Sequence, residues 1–367
     1  MKLNKLVYRL VPKSVDEVEF WRLYFCHAYH AVRSASSGQK SGAAVLTKAV
    51  LLAGDDTTSN SIIAAFQGDD IFSTFAQKEM EGILQRDAED DEKLAEGIQM
   101  AAQKGVVEAS PAVEEVCRID VLGKSAEVVA ADIIARLGDA PSTGCVLVLQ
   151  GLSGTGKGTT VSKLETLLPR SVSWSNGNVF RSITLLAVSY CELAGISFGP
   201  EVLTPELLAK LMGCLHFDKF DGKFDIAIKG QGHDVLVSQV ANTLLKEPRV
   251  GKNIPTVAKV TQGEVIKFAA AAAEAMRADG MNVLMEGRAQ TLNYVRTPHR
   301  FELMLSEPLV IGMRRAAQRM MAKAAPKLQG ESNPSSEEVH AVLRMGLVSL
   351  TASAELFKVA NLGIGPL

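Results

Sequence analysis

Hydrophobic and polar positions change their period along the chain, and these changes mark out its elements. Near the start, Ser14-Val-Asp-Glu17 has the capping-box pattern, with Ser14 and Glu17 placed to satisfy backbone N–H groups at a helix start. Phe20, Trp21, Tyr24 and Phe25 follow at helical spacing and predict a helix with one aromatic face. The run Ser34-Ala-Ser-Ser-Gly-Gln-Lys-Ser-Gly42 is small and polar, too poor in apolar area to offset chain entropy, and reads as a linker. Residues 45–138, rich in Ala, Leu, Gln and Glu, predict helices, and the acidic run Asp87-Ala-Glu-Asp-Asp-Glu92 is expected on a solvated face. After Gly144 the pattern switches to Cys145-Val-Leu-Val-Leu-Gln150, a continuous apolar run that suits a strand buried on both faces of a parallel sheet. Val161, Leu164, Leu167 and Leu168 then return to helical spacing, which stops at Pro169. Three regions are expected: an aromatic helix and linker over 1–44, a helical region over 45–138, and an α/β domain over 139–367.

Between that strand and helix lies Gly151-Leu-Ser-Gly-Thr-Gly-Lys-Gly-Thr159. Glycines tolerate the positive φ angles that let consecutive N–H groups point at phosphate oxygens, and the following helix contributes its positive N-terminus. The expected phosphate contacts are Gly151, Ser153, Gly154, Thr155, Gly156, Lys157, Gly158, Thr159 and Thr160, with Lys157 reaching the β and γ phosphates. Gly158, rather than Ser or Thr, follows the lysine, and the hydroxyl comes one place later at Thr159. This Gly-Lys-Gly-Thr form points away from GTPase switches and motor ATPases.

Composition narrows the partners. The net charge of −2 supplies no overall positive field to recruit nucleic acid. No window of 18 apolar residues occurs, so no membrane span is expected. The cysteines number five, an odd count without a C-x-x-C pair, and are expected to be free thiols in a reducing, cytoplasmic setting.

The phosphate loop, Ser175-Asn-Gly-Asn-Val-Phe-Arg181, Met281-Asn-Val-Leu-Met-Glu-Gly-Arg288 and Glu307 to Arg314-Arg315 together resemble the cytidylate kinase family over about residues 144–345. Phe224-Asp-Ile-Ala-Ile-Lys-Gly-Gln-Gly-His-Asp-Val235 resembles that family's insert, expected over about 217–258, and a basic lid is expected over about 307–335. The resemblance implies a P-loop three-layer fold with a parallel five-stranded sheet, a small-molecule nucleotide acceptor, ATP as donor and Mg2+. It implies that Asn176, Gly177, Phe180, Arg181, Gly287 and Arg288 hold the acceptor, and that Lys157, Arg288, Arg314 and Arg315, or Arg319 on the same lid, act on the transferring phosphoryl group. Thr159 and Glu286 would serve the metal. Arg suits phosphate because its planar fork bonds it bidentately.

The chain departs from that family at several acceptor positions. Ala289 stands where the family has an Asp, Phe180 where it has Tyr, and Asn176 where it has Ser or Thr. Arg344-Met-Gly-Leu-Val-Ser-Leu lacks the two acids and second arginine of the family's run, and the place of a further pocket arginine falls near Glu274-Ala275, with Lys267 as a substitute. These losses leave a kinase of a different small acceptor, or a non-catalytic nucleotide-binding module, as the competing readings. The first 32 residues resemble the last helix of a BSD domain, whose feature is a Phe-Trp pair followed by Tyr-Phe, here Phe20-Trp21 and Tyr24-Phe25. That resemblance implies a protein partner for this helix.

Overall fold

A computed structural model of the chain describes residues 46–52 and 56–361. The aromatic helix and linker expected over 1–44 lie outside the described residues. Two compact units result, one formed by residues up to Met80 together with those from Gly312, the other by Glu81–Ile311.

The second unit is an α/β domain around one parallel sheet. Its strands are β1 (Cys117–Asp120), β2 (Val146–Gly151), β3 (Ser171–Trp174), β7 (Asn282–Gly287) and β8 (His299–Met304), in the order β1-β8-β2-β7-β3, all parallel. As the apolar run requires, β2 is central and buried, its Val148 aligned with Met285 on one side and Arg300 on the other. Side chains alternate across the sheet. Leu147 and Leu149 pack with Val129, Ile133, Val161 and Leu164 of helices α2 (Ala126–Leu137) and α3 (Lys157–Leu167), as part of one core. Val146 and Val148 pack oppositely, with Ala269, Ala273 and Met276 of helix α5 (Ile254–Ala278).

The placement of β1 corrects the expected boundary at 139. This strand precedes the phosphate-loop strand in the chain yet forms the sheet edge against β8, so β1 and α2 are part of the α/β unit rather than of a separate helical region. The region 45–138 is therefore not wholly helical. Its long helix α1 (Asp70–Gln103) enters the same unit, where Gly97 fits against Gln262 and Gly263 against Ala101.

The insert is a three-stranded antiparallel sheet, β4 (Leu215–Phe220), β5 (Lys223–Gly230) and β6 (His233–Leu236). Phe217 stacks on Phe224 at 5.3 Å and meets the edge of Trp174 at 5.6 Å, which ties the insert to β3. Helix α4 (Asn176–Ala194) packs into the same apolar cluster through Ile183, Leu186 and Ala187.

One buried side chain joins three connections of the sheet. Asn282 is 1% exposed; its amide donates to the carbonyls of Pro141 and Pro169, and its Oδ1 accepts from the N–H of Cys145. Replacing it by alanine leaves those groups buried without partners. An Asn282→Ala variant is expected to lose about 2–3 kcal/mol of stability, read from its urea midpoint.

In the other unit, Gly312 at the base of helix α6 (Leu309–Gln329) passes so close to the Ala76 carbonyl that a Cβ there would overlap it. Arg344 of helix α7 (Ser336–Asn361) pairs with Asp69, and Phe66 stacks on His340 at 4.5 Å. Cys117, Cys145, Cys191 and Cys214 are free thiols, and burial pushes Cys145 up to about 11, which keeps it protonated and inert. No helix among the described residues is long and apolar enough to cross a membrane.

Candidate functional site

The glycine-rich loop Gly151–Thr159 leaves β2 at the carboxyl edge of the sheet, the side on which open α/β folds bind ligands. Gly154 and Gly156 both have positive φ, at 82° and 84°. Gly151 reaches 146°, and a Cβ there would lie 2.4 Å from the Leu303 carbonyl oxygen, so only glycine lets the loop turn against β8. Thr155 closes the turn by donating to the Leu152 carbonyl at 2.8 Å. Lys157 begins α3, where the first N–H groups have no acceptor within the helix.

Lys157 Nζ donates to the carbonyls of Gly151 and Leu152, both at 2.8 Å, so the ammonium folds over its own loop. Burial pushes its pKa down, while the carboxylates of Glu286 and Asp87 work in the other direction. Glu286 ends the neighbouring strand β7; its Oε2 would be 3.9 Å from a Cβ at Gly158. The Thr159 hydroxyl is exposed and donates to Gly156, whereas Thr160 is 2% exposed and packed under the loop.

Of the residues expected to hold an acceptor, Asn176 and Gly177 open helix α4, whose N-cap is Ser175. The Asn176 Oδ1 accepts from the Trp174 indole at 2.7 Å, and Phe180 packs into the insert core. Arg181 folds back over Gly177, its Nη1 only 2.9 Å from where a Cβ would stand, so this glycine makes room for the guanidinium. Gly287 and Arg288 follow Glu286 at the end of β7. Glu274 and Ala275 lie on an exposed face of α5, while Lys267 lines a cavity of about 230 Å³ with Val106, Glu108, Tyr294 and Arg296. Arg314, Arg315 and Arg319 belong to the other unit, where Arg315 contacts Gln318 at 3.5 Å and Arg319 pairs with Glu79 and covers the Phe75 ring.

The acidic run on α1 is where expectation and structure part. Asp87 is 4% exposed rather than solvated. Its carboxylate accepts from the Ser153 N–H at 2.8 Å, from the Ser153 hydroxyl at 2.6 Å and from Arg288 Nη2 at 2.9 Å. Arg288 Nη1 also reaches Asp91 at 2.7 Å, and Nη2 reaches Asp90 at 3.3 Å. Burial works to raise the Asp87 pKa, but Ser153 and Arg288 outweigh it and hold the group below the ordinary carboxylate value. Burial likewise opposes the charge on Arg288, and Asp91 and Asp87 hold its pKa above the usual value. The sequence offers only the helical spacing from Ile83 to Asp87, Gly97 and Ala101; that this stripe is buried is seen in the folded chain alone. Asp87, Asp90 and Asp91 also share one face at i, i+3 and i+4.

No protein-family model matches the chain, and no curated protein matches it in sequence.

Proposed function

We propose that this chain is an ATP-dependent phosphotransferase of the P-loop nucleoside monophosphate kinase type, with CMP or dCMP as the acceptor its sequence resemblance implies. The observation that carries the reading is the junction of β2 and α3: a glycine turn with positive φ at Gly151, Gly154 and Gly156, followed by a lysine at the first position of α3, beside Glu286 near the end of the adjacent strand β7 and Arg288 just after it. The central position of β2 in an all-parallel sheet supports the same fold type.

The chemistry follows from charge. An oxygen of the acceptor phosphate attacks the γ-phosphorus of ATP, the bond to the β–γ bridging oxygen breaks, and ADP leaves. Negative charge gathers on the transferring oxygens, so catalysis is mostly positioning and cations. Lys157 and the loop N–H groups would hold the donor phosphates, and Arg181 and Arg288 the acceptor phosphate. Thr159 and Glu286 fit a magnesium ion of the kind that keeps most of its water and takes one or two protein oxygens beside phosphates. Its charge would offset that of the phosphates. The protein is read as working in the cytoplasm.

Ala289 favours a second reading, a kinase of another small acceptor, because its side chain can accept no hydrogen bond from a sugar or base. A thermal-shift series with ATP, CMP, dCMP and UMP separates the two. Ligand at a hundred times its Kd stabilises the native state by about 2.7 kcal/mol, enough for a rise of several degrees. ATP and CMP should each raise Tm on the first reading; ATP alone should do so on the second. No shift with any nucleotide contradicts both.

A further inference from the structure

Ser153 in the phosphate loop and Arg288 at the end of β7 are separated by 135 residues in sequence, yet they converge on one carboxylate from a third element. A loop N–H, a hydroxyl and a guanidinium aimed at a single point form the donor set that a phosphate oxygen needs. Arg288 Nη1 donates to Asp91 and to the Asp87 backbone carbonyl, and Nη2 donates to Asp87 and Asp90, so separate carboxylates take the two terminal nitrogens. A phosphate monoester brings about −1.5 to −2 near neutral pH and can accept from both nitrogens at once.

We propose that the acidic face of α1 is an internal stand-in for the acceptor phosphate, with Asp91 and Asp87 occupying Arg288 until that phosphate displaces them, while Asp87 also holds Ser153 of the donor loop. This rests on the reading of the loop and Arg288 as a phosphate site. Two further features suit a replaceable contact rather than a permanent brace. Three carboxylates gather on one guanidinium although a single one would neutralise it, and like charges at i, i+3 and i+4 on a helix repel. The segment that carries them is thinly packed: between residues 81 and 103 only Ile83, Gly97 and Ala101 are buried apolar positions. Segments with few buried apolar contacts are the ones that open at low free energy. The consequence is an enzyme whose acceptor site is held shut in the free protein, so that acceptor affinity is set partly by how tightly α1 grips Arg288.

Neutralising the stand-in tests this. The double variant Asp90→Asn/Asp91→Asn removes only partly or fully exposed carboxylates and leaves the fold-facing Asp87 in place; the triple variant adds Asp87→Asn. Binding of inorganic phosphate and, separately, of magnesium-ATP is measured by calorimetry on the full chain. Phosphate affinity is expected to rise severalfold in the double variant and at least tenfold in the triple, and the gain should vanish when Arg288→Ala is added. Unchanged or weaker phosphate binding by both variants, with ATP still bound, overturns the stand-in alone. Failure of the native chain and the variants alike to bind ATP overturns the phosphate-loop reading, and the stand-in with it.

Discussion

Lys157→Ala is expected to lower kcat/KM for phosphoryl transfer by about 10²–10³-fold and to weaken ATP binding, while leaving the melting temperature within a few degrees of the native value. The reason is local. Among the described residues the Lys157 ammonium donates to the Gly151 and Leu152 carbonyls, both on its own loop. Its removal should therefore leave the core intact while taking the positive charge from the loop. The pH dependence has a definite sign. The ammonium is the form that attracts phosphate, so affinity is full below the lysine pKa and falls as pH rises through it. Because burial depresses that pKa, the fall should begin at lower pH than for a free lysine, whose value is about 10.4. A titration of ATP affinity against pH in the native chain measures it; affinity flat into the range of free lysine contradicts the role given to Lys157.

Arg300→Ala is expected to lower stability strongly. Arg300 lies inside the α/β unit with a side chain that is 0% exposed. It donates to the carbonyls of Val295 and Leu292 and to Asn293 Oδ1, at 2.8, 3.0 and 3.1 Å, with Glu114 3.9 Å away. Burial pulls its pKa below the usual arginine value, opposed by Glu114. Truncation leaves these acceptors unsatisfied and opens a cavity under the turn that follows Arg288. The combined loss should be about 3 kcal/mol or more, or roughly 6–10 °C in Tm. Arg300→Lys should recover only part of it, since an ammonium cannot span the same fork. A calorimetric melt of the three proteins decides the matter, and an Arg300→Ala protein as stable as the native one contradicts this account of the turn.

What could be read from the sequence was whatever is encoded locally. The strand, glycine turn and helix from residue 145 to 168 are contiguous, and each is specified by its own residues: a continuous apolar run, glycines where φ turns positive, and helical spacing ended by Pro169. Their boundaries shift by only one or two residues in the structure, to Val146–Gly151 and Lys157–Leu167. Strand β1 was not legible, because Cys117-Arg-Ile-Asp120 is four residues long, half polar, and becomes a strand only through its pairing with β8 far along the chain. The role of Asp87 escaped for a related reason. An acid in an acidic run looks solvated until a partner 201 residues away is known to meet it. The geometry of the glycine turn was thus legible, since one segment suffices for it, whereas the contacts of α1 with Arg288 were not, because only the folded chain brings them into place.

If the Gly151–Thr159 loop binds ATP for transfer of its γ-phosphate, phosphorus NMR of the native chain with ATP, magnesium and CMP or dCMP will show it. The expected result is loss of the γ-phosphate signal with matching growth of ADP and of a second nucleoside diphosphate, and no such conversion with Lys157→Ala. Unchanged ATP in the native sample, or conversion at the same rate in the Lys157→Ala sample, would contradict it.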